Sequence, residues 1–359
     1  MKKKKVYYII DDIYNGGGIA RVTLLIAGEL IKTGRYDVSV VSMSRPLETP
    51  YYKIPDGCRV IDLPLKDFSI RKDFIRAGIG LRRLFPLDLE CTFVIDDVGH
   101  NVPAWIGLRH CRKASFISWS HTNFFNGSKY GFSGVGKRLA VKRFKYLVAL
   151  TKEDRGYYKK ILNADNVVQI YNPKDPSIQK QKYHAGSKRI ITCGRLSREK
   201  GFDILLQVAQ GVFEKVKDWQ WDIYGDGPEY TAIRQRIKEY GLEGKVNLMG
   251  YHKDILRLYQ DYAFYVFISR GEGCPMAMIE ALSAGLPMLS FDFKCGPKDL
   301  IVDGVNGYII KNWDVDEMVD KVLKLIMDQK LRCELAEHAD MNLSELEMSY
   351  VLDKWESIL

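Results

Sequence analysis

The sequence predicts an α/β protein with two doubly wound parallel sheets. Short segments rich in β-branched and aromatic residues alternate with longer amphipathic segments along almost the whole chain, which is the pattern of consecutive βαβ units. Strands of the first sheet are predicted at residues 6–10, 38–43, 92–95, 115–118 and 146–150, and strands of the second at 190–193, 221–224, 246–249, 264–268 and 288–291. Such sheets bind ligands beyond the carboxyl ends of their strands, so functional residues are sought in the loops that follow.

One polar stretch divides the pattern in two. Residues 172–188 contain two prolines and a glycine and lack the alternation found on either side. A chain of 359 residues also matches two domains of about 100–200 residues each. We therefore place an N-terminal domain at 1–172 and a C-terminal domain at 173–342. The last helical pattern, 343–359, is expected to pack back on the first domain.

Composition excludes several classes of protein. With 46% hydrophobic residues, 12 Pro and 30 Gly, the chain is neither disordered nor fibrous. No apolar run approaches the roughly 18 residues that a membrane helix needs. The start, four lysines followed by apolar residues 6–10, imitates a signal peptide but stops at Asp11, so it reads as a strand. Seven cysteines without a C-x-x-C pair favour a reducing cytoplasm.

The two predicted domains differ in charge. Residues 1–172 hold 29 Lys and Arg against 16 Asp and Glu, a net +13, whereas the remainder holds 25 against 29, a net −4. A domain this basic favours an anionic partner such as a membrane surface, a phosphate-bearing substrate or a nucleic acid. The charge is concentrated at residues 66–85, which have helical periodicity, and at 129–146. The helix predicted in the first stretch can contact lipid directly or pack on its own sheet with solvated arginines, and both can hold together.

A glycine-rich loop follows the first predicted strand. Gly16, Gly17 and Gly18 precede an apolar helix, so backbone without side chains opens onto a helix N-terminus, which suits a phosphate. Arg21 stands where a dinucleotide-binding fingerprint would need its third glycine, and the Lys-Ser/Thr pair of a P-loop is missing. An unspecialised tight turn is the alternative.

Two cations follow the first strand of the second domain. Arg195 and Lys200 stand at the mouth of a strand–helix loop. Arginine offers a fixed fork of donors and lysine a mobile charge, a pair that can hold a diphosphate and neutralise a phosphate leaving group. From this stretch alone, a solvated loop is equally compatible.

Two glutamates follow the predicted strand at 264–268. Glu272 and Glu280 have seven residues between them, and Gly273 and Pro275 place the first in a loop and the second inside the next helix. One carboxylate can then face each end of a bound ligand.

Five motifs of the second half occur in a fixed order. They are Gly194-Arg195 with Glu199-Lys200-Gly201, Gly225-Asp226-Gly227-Pro228, the Glu272 and Glu280 pair, Glu280-Ala281 to Gly285-Leu286-Pro287, and Gly296-Pro297 to Asp303-Gly304-Val305-Asn306-Gly307. Together they closely resemble glycosyltransferase family 4, the retaining nucleotide-sugar transferases of GT-B fold, whose two Rossmann-like domains face each other across a cleft. The resemblance is strongest over residues 188–312 and weaker but collinear over the first domain. The segment from Ser290 to Pro297 further resembles the subgroup that builds bacterial surface polysaccharides, such as capsule and lipopolysaccharide, and lipid-linked oligosaccharides.

The resemblance implies a role for each motif. Arg195 and Lys200 would hold the donor diphosphate, which the glycine loop would approach from the first domain. Glu280 would accept hydrogen bonds from the ribose and Glu272 from the transferred sugar, since both oxygens of a carboxylate accept. The remaining implied donor contacts are the backbone near Pro275, Met276 and Ala277 for the sugar, and Gly250, Tyr251 and Ile255 for the uracil. His121 matches the family's first-domain histidine beside the sugar, although a lone histidine after a strand would otherwise be read as structural.

The resemblance and the charge together imply a sugar-transfer reaction that uses no cofactor. The expected reaction moves a hexose or N-acetylhexosamine from a UDP-sugar to a saccharide acceptor, carried on a polyprenyl diphosphate at the inner face of the cytoplasmic membrane, where a basic first domain would bind anionic lipid. No metal ion is expected, because the acidic pairs at 11–12 and 96–97 lack Asp-x-Asp spacing and cationic side chains can replace a divalent ion at a diphosphate.

Two alternatives stay open at this stage. A nucleotide-sugar epimerase shares the two-domain architecture but needs no acceptor, so release of UDP with a lengthened glycan would separate the two enzymes. A nucleic-acid-binding protein would need base-stacking aromatics or a reading helix. The first domain shows no recognised module of that kind, so no nucleic-acid partner is expected.

Overall fold

The chain forms two compact units. The computed structural model describes residues 2–66, 68–180 and 182–359. The first unit runs through Pro173 and includes Ser349–Leu359, and the second is Lys174–Met348. The predicted boundary after residue 172 and the observed division after Pro173 differ by one residue.

The described part of the first unit contains a sheet of seven parallel strands. In chain order they are β1 (Lys4–Asp12), β2 (Tyr36–Ser44), β3 (Arg59–Asp62), β4 (Thr92–Asp96), β5 (Ser115–Ser120), β6 (Tyr146–Ala149) and β7 (Val167–Gln169). Their spatial order is β3-β2-β1-β4-β5-β6-β7. Residues 6–10 of β1 are buried throughout, as expected for a parallel strand that is covered on both faces.

Five helices connect these strands in the described residues. They are α1 (Gly18–Lys32), α2 (Ile70–Leu84), α3 (Asn101–Leu108), α4 (Phe132–Arg143) and α5 (Lys152–Leu162). The two predicted basic stretches correspond to α2 and α4, except that residue 67 of the first stretch lies outside the described residues. Helix α2 packs on α3 through Ala77, Gly78 and Leu81, its buried residues.

The described part of the second unit repeats the plan with a sheet of six parallel strands. These are β8 (Arg189–Cys193), β9 (Gln220–Tyr224), β10 (Val246–Gly250), β11 (Phe264–Phe267), β12 (Met288–Phe291) and β13 (Gly307–Ile310), in the spatial order β10-β9-β8-β11-β12-β13. Its helices are α6 (Phe202–Lys215), α7 (Tyr230–Glu239), α8 (Ile255–Leu258), α9 (Met276–Ser283), α10 (Pro297–Leu300), α11 (Val315–Met327) and α12 (Gln329–Glu337).

The last helix returns to the first unit. Helix α13 (Met348–Ile358) buries Val351, Trp355 and Ile358, and Glu356 pairs with Arg35 at 2.5 Å. The prediction of a helix from residue 343 is wrong at its start, because Ser344–Leu346 form a 3-10 turn that belongs to the second unit.

The predicted fold class is confirmed, with two parallel α/β sheets. The three strands that the sequence pattern missed are β3, β7 and β13, and each lies at the edge of its sheet. Edge strands are short and half-covered, so their hydrophobic signal is weak. Within the described residues, no helix combines the length and apolarity needed to cross a bilayer.

Both sheets reverse their strand order at one point. In the first sheet the reversal lies between β1 and β4, and in the second between β8 and β11. The loops after these strands diverge to opposite sides and leave a crevice where doubly wound sheets bind ligands. The glycine loop follows β1, the two predicted cations follow β8, and Glu272 follows β11.

Candidate functional site

The loop after β8 is shaped by glycines. Residues Arg198–Lys200 form a 3-10 turn that ends at Gly201, whose φ of 70° is in the left-handed region. A Cβ on Gly201 would lie 2.9 Å from the side chain of Ile268, next to the end of β11. Glycine at this position therefore lets the turn approach the loop that carries Glu272.

A second glycine holds the loop from the other side. Gly225 follows β9 with a φ of 144°, and a Cβ there would lie 1.9 Å from the carbonyl oxygen of Gly194. The backbone N–H of Leu196 donates to the Asp226 carbonyl at 2.9 Å. The Gly-Asp-Gly-Pro motif thus supports the segment that carries Arg195.

Lys200 and Glu272 are in direct contact. Lys200 Nζ lies 2.5 Å from Glu272 Oε1, and the Ser269 hydroxyl donates to the same oxygen at 2.8 Å. The lysine side chain is 30% exposed and the glutamate 14%, so the pair is shielded but open to a ligand. The two residues come from the loops on either side of the switch point of the second sheet.

An arginine clamp fixes the cationic turn. Arg270 donates to the Arg198 carbonyl at 2.6 Å and makes two hydrogen bonds with the Asp203 carboxylate, at 2.9 and 2.7 Å. The hydrogen bond from Arg270 is the main cause of a lowered pKa at Asp203. The clamp joins the loop after β11 to the turn that carries Lys200.

Arg195 is exposed at the start of the same loop. The pKa of Glu199 is lowered, first by hydrogen bonds from its own backbone N–H and from Ser197, and then by the charges of Arg195 and Lys200. The structure therefore gathers Lys200 and Glu272 into one cluster, whereas Arg195 contributes positive charge at the exposed side of the loop.

Glu280 lies inside α9 and is 5% exposed. The Tyr259 hydroxyl donates to Glu280 Oε2 at 3.4 Å, and the pKa of Tyr259 is raised by burial and by the neighbouring Cys193 and Glu280. Glu272 stays in the loop, which is the placement that the sequence predicts. Helix α9 begins at Met276, with Pro275 as its N-cap. The first backbone N–H groups of the helix, at Met276 and Ala277, therefore lack intrahelical acceptors.

The residues predicted for the base lie farther along the sheet. Gly250 ends β10, the edge strand, and its carbonyl accepts from the Gly225 N–H at 2.9 Å. Tyr251 is 61% exposed, and Ile255 begins α8 half-buried. Like Lys200, these three residues lie at or just after the carboxyl end of a strand of the second sheet.

The glycine loop of the first unit offers backbone rather than side chains. Gly16, Gly17 and Gly18 are exposed, and α1 begins at Gly18 with Gly17 as its extended N-cap. Two hydrogen bonds hold Tyr14, which lies just before these glycines. Asp12 accepts from the Tyr14 N–H at 2.7 Å, and the Tyr14 hydroxyl donates to Asp62 at 2.7 Å. Burial and this hydrogen bond raise the pKa of Tyr14 to about 12.

His121 follows β5 and its side chain is 4% exposed. Its Nε2 lies 4.0 Å from Asp96 Oδ1, too far for a hydrogen bond. The other oxygen of Asp96 accepts from the Thr23 hydroxyl of α1 at 2.6 Å. Asp96 ends β4, so the glycine loop, Asp96 and His121 follow three neighbouring strands of the first sheet.

Sequence reasoning missed four residues of these clusters. Ser269 could have been found because it directly follows β11 and stands three positions before Glu272. Asp96 ends a buried strand, but in the sequence it stands out only as part of an acidic pair, a feature relevant to metal binding. Nothing in the sequence singles out Tyr259 or Arg270, whose partners lie more than twenty and sixty positions away.

Two cavities of the second unit, of about 430 and 470 Å³, are lined by residues other than those predicted to bind the donor. Among residues 2–66, 68–180 and 182–359, no group of three His, Cys, Asp or Glu side chains is placed to hold a metal ion.

The fold and the second-unit cluster define a class of ligand-binding α/β protein. Lys200 and the Glu272 carboxylate are in contact beyond the switch point of a parallel sheet, and the N-terminus of α9 follows in the same loop. This arrangement suits a phosphate joined to a hydroxyl-rich group. Residues 173–341 match the family model described as glycosyl transferases group 1. By this family match and by its homologues, the protein is a glycosyltransferase.

Relatives along the whole chain agree with that class. An uncharacterized glycosyltransferase of Haemophilus influenzae is 27% identical over 99% of this chain and 100% of its own length. The amylovoran biosynthesis glycosyltransferase AmsD of Erwinia amylovora is also 27% identical, over 99% of each chain.

Solved structures agree with the fold. TarM of S. aureus, in a mutant form crystallised with fondaparinux, alpha-GlcNAc-glycerol and UDP, superposes with a TM-score of 0.85 at 17% identity and 99% coverage of both chains. The two units of this chain therefore have the GT-B fold.

Proposed function

We propose that the protein is a retaining transferase of glycosyltransferase family 4 that moves a hexose or N-acetylhexosamine from a UDP-sugar to a saccharide acceptor. The observation that carries this proposal is the contact between Lys200 and Glu272 at the switch point of the second sheet. A cation that binds phosphate and a carboxylate that binds hydroxyls lie 2.5 Å apart, so they suit adjacent groups of one ligand. A sugar and its anomeric phosphate are such neighbours.

The other second-unit residues complete a nucleotide-sugar site in this proposal. Glu280 holds the ribose hydroxyls, and the N-terminus of α9 at Met276 and Ala277 faces the sugar with its free N–H groups. Gly250, Tyr251 and Ile255 receive the uracil, and Arg195 adds a fork of donors for the diphosphate. In the first unit, the glycine loop is the phosphate-facing group and His121 the sugar-facing one.

Retention of configuration is supported by chemistry and by one neighbour. UDP-hexoses and UDP-N-acetylhexosamines commonly carry an axial, α-linked phosphate, and the S. aureus TarM structure contains alpha-GlcNAc-glycerol together with UDP. Biosynthesis of a bacterial surface glycan is supported by the Erwinia relative, which is named for amylovoran.

The donor chemistry in this proposal needs no metal ion. A departing UDP develops negative charge on its diphosphate, and two cationic side chains can stabilise that charge in place of a divalent ion. Lys200 is oriented by Glu272 and backed by the Arg270 clamp, so its charge is preorganised at the strand end. Transfer should therefore persist in a chelator.

The first unit is proposed to bind the acceptor at an anionic membrane surface on the cytoplasmic side. The exposed face of α2 carries Ile75 and Ile79, which are 55% and 45% exposed. Lys72, Arg76 and Arg83 stand three or four positions from these isoleucines and so share their face of the helix. Apolar side chains flanked by cations favour the interface of an anionic bilayer, where a polyprenyl diphosphate acceptor would be carried.

A panel of UDP-sugars tests the proposed reaction. Full-length protein is incubated in EDTA with each UDP-sugar, with and without saccharide acceptors, free and polyprenyl-diphosphate-linked. We expect one donor to release UDP in proportion to an α-linked product of increased mass. An epimerised nucleotide-sugar without UDP release, a β-linked product or a strict need for manganese would each contradict a part of the proposal.

A further inference from the structure

One face of the first sheet carries a cluster of aromatic rings that ends at His121. The Trp355 ring of α13 meets the Trp119 ring of β5 at a centroid distance of 4.8 Å and an angle of 68°. Trp119 in turn meets the His121 ring at 4.3 Å and 45°. Tyr8 of β1 flanks both indoles, at 6.3 Å from Trp119 and 6.4 Å from Trp355. Trp119 thereby links the ring of Trp355, on the last helix, to the ring of His121, the predicted sugar-facing histidine.

The two tryptophans and the tyrosine of this aromatic cluster are fully enclosed, so packing restricts the movement of their rings. Trp119, Trp355 and Tyr8 are each 0% exposed. In the register of the sheet, Trp119 pairs with Asp96 and Tyr8 pairs with Val94, so Tyr8, Asp96 and Trp119 point to the same face. Helix α13 covers that face.

The Nε2 atom of His121 faces Asp96 without a hydrogen bond. Functional histidines are usually oriented by a hydrogen bond to one ring nitrogen. Among the described residues, neither His121 Nε2 nor Asp96 Oδ1 has a hydrogen-bond partner, and 4.0 Å separates them. The contact with the Trp119 ring, at a centroid distance of 4.3 Å, therefore helps to fix the plane of the imidazole.

Trp119 is itself positioned by packing. The indole N–H groups of Trp119 and Trp355 are buried, and within the described part of the chain neither has an acceptor. A buried indole without an acceptor is unfavourable compared with an apolar ring of similar size. Helix α13 also buries the aliphatic residues Val351 and Ile358, which contribute to its docking beside the indole of Trp355.

We propose that Trp355 is a positioning residue for His121 and acts through the ring of Trp119. This inference rests on the proposed function in one respect, the place of His121 beside the transferred sugar. Helix α13 thereby contributes to transfer without contacting the substrate. It fixes the plane in which the imidazole meets the donor, and it keeps Nε2 facing Asp96.

Histidine NMR on the full-length protein tests the contact directly. The six histidines are labelled at the ring carbons, and the His121 signal is assigned from the His121→Gln variant. Because the imidazole lies against the Trp119 ring, its protons experience the ring current of the indole. We expect Trp355→Phe to shift the His121 signal, Trp355→Ala to shift and broaden it, and the other five signals to stay in place.

A matched variant separates positioning from loss of stability. Ile358→Ala removes a buried side chain from the same helix, one turn beyond Trp355, and should lower the melting temperature without moving the His121 signal. If Trp355→Ala does not fold, Trp355→Phe decides, because it keeps a ring in the site. An unmoved His121 signal in folded Trp355→Phe, or an equal shift in Ile358→Ala, would overturn the proposal.

Kinetics provide a second readout with the active donor. A misplaced catalytic group can reduce turnover by up to about 100-fold, so we expect Trp355→Ala to lower kcat roughly 10-fold or more, with KM for the donor changed by less than about 2-fold. Trp355→Phe should recover most of the loss. If no UDP-sugar is turned over, the proposed function fails while the NMR result still decides the positioning role. A change in donor KM alone, with kcat intact, would refute that role.

Discussion

The switch points of the two sheets are built in different ways. In the second unit, charged side chains already contact one another, with Lys200, Glu272 and Ser269 in one cluster and Glu280 beside Tyr259. In the first unit the corresponding loop consists of bare glycines, and His121 contacts an aromatic ring. The second unit thus carries preorganised charge, and the first carries exposed backbone and an imidazole in contact with an aromatic ring.

This difference indicates a division of labour. Preorganised charge is the most effective means of stabilising a leaving group, so we expect substitutions in the second-unit cluster to have the largest effects on transfer. Residues 1–172 of the first unit carry a net charge of +13, and α2 has an exposed apolar face, so substitutions in this unit should act on location and orientation.

Loss of the Lys200 charge should have the largest effect. We expect Lys200→Ala to lower kcat/KM by about 100- to 1,000-fold, or roughly 3–4 kcal/mol, as for removal of one donor to a developing anion. The measurement is the rate of UDP release with the active donor. Lys330→Ala, which removes an exposed lysine of the same unit, should keep wild-type kinetics. Near-native turnover in Lys200→Ala would remove the diphosphate assignment.

The two glutamates should separate in their kinetic effects. A hydrogen bond to a charged group contributes about 1.5–3 kcal/mol, so each substitution should cost roughly 10- to 100-fold. We expect Glu272→Gln to lower kcat with little change in UDP inhibition, and Glu280→Gln to weaken UDP inhibition itself. Identical effects of the two variants on UDP inhibition would show that the sugar and ribose roles are wrongly divided.

The face of α2 should govern membrane binding and leave the donor site unchanged. Each basic residue near an anionic leaflet contributes up to about 1 kcal/mol, so Arg76→Gln with Arg83→Gln should weaken flotation with anionic vesicles by up to roughly 30-fold. Added salt should weaken it further, because it shortens the Debye length.

A control for this surface lies on α7. The triple variant with Arg234, Arg236 and Lys238 each changed to Gln removes exposed cations from the second unit and should float like the wild type. Equal flotation of all variants, or equal binding to zwitterionic vesicles, would leave α2 as an ordinary solvated helix.

Ser269 should have a smaller effect than the charged residues. Its hydroxyl donates to Glu272 Oε1 beside the Lys200 ammonium, and a neutral hydrogen-bond donor contributes about 1 kcal/mol. We expect Ser269→Ala to lower kcat roughly 5-fold, and Ser177→Ala, at an exposed serine of the same unit, to change nothing. A loss as large as that of Lys200→Ala would indicate that Ser269 contacts the ligand itself.

The smallest effect concerns the anchor of the glycine loop. The pKa of Tyr14 is raised to about 12 by burial and by donation to Asp62, so the folded state favours the neutral phenol. Its stabilisation is complete below the unfolded pKa of about 10 and is lost as pH rises toward 12. The difference in melting temperature between wild type and Tyr14→Phe should therefore be constant below pH 10 and shrink above it. A difference that is already lost at pH 9 would contradict the anchor.

The sequence predicted the fold and the second-unit site better than the first-unit site for a physical reason. Central parallel strands are continuous apolar runs, and the loops after β8 and β11 must place particular side chains, so both leave local signals. The placement of Glu272 in a loop and Glu280 in α9 follows from Gly273 and Pro275. The half-covered strand β3 leaves almost no such signal.

Long-range packing explains what the sequence could not show. The ring of Trp355 reaches His121 through Trp119, across more than 200 positions of the chain, and no local pattern encodes that contact. The exposure of Ile75 and Ile79 on α2 is also not evident from the sequence, because helical periodicity does not show which residues a neighbouring helix covers. Their exposure became evident only from the packing.

Calorimetric titration of UDP into the full-length protein in a chelator tests the central claim most directly. We expect one UDP site per chain without a metal ion, weakened in Lys200→Ala and Glu280→Gln and unchanged in the double variant of α2 at Arg76 and Arg83. Absence of UDP binding at millimolar concentration, or equal affinity in the wild type, Lys200→Ala and Glu280→Gln, would contradict a UDP-sugar site at the switch point of the second sheet.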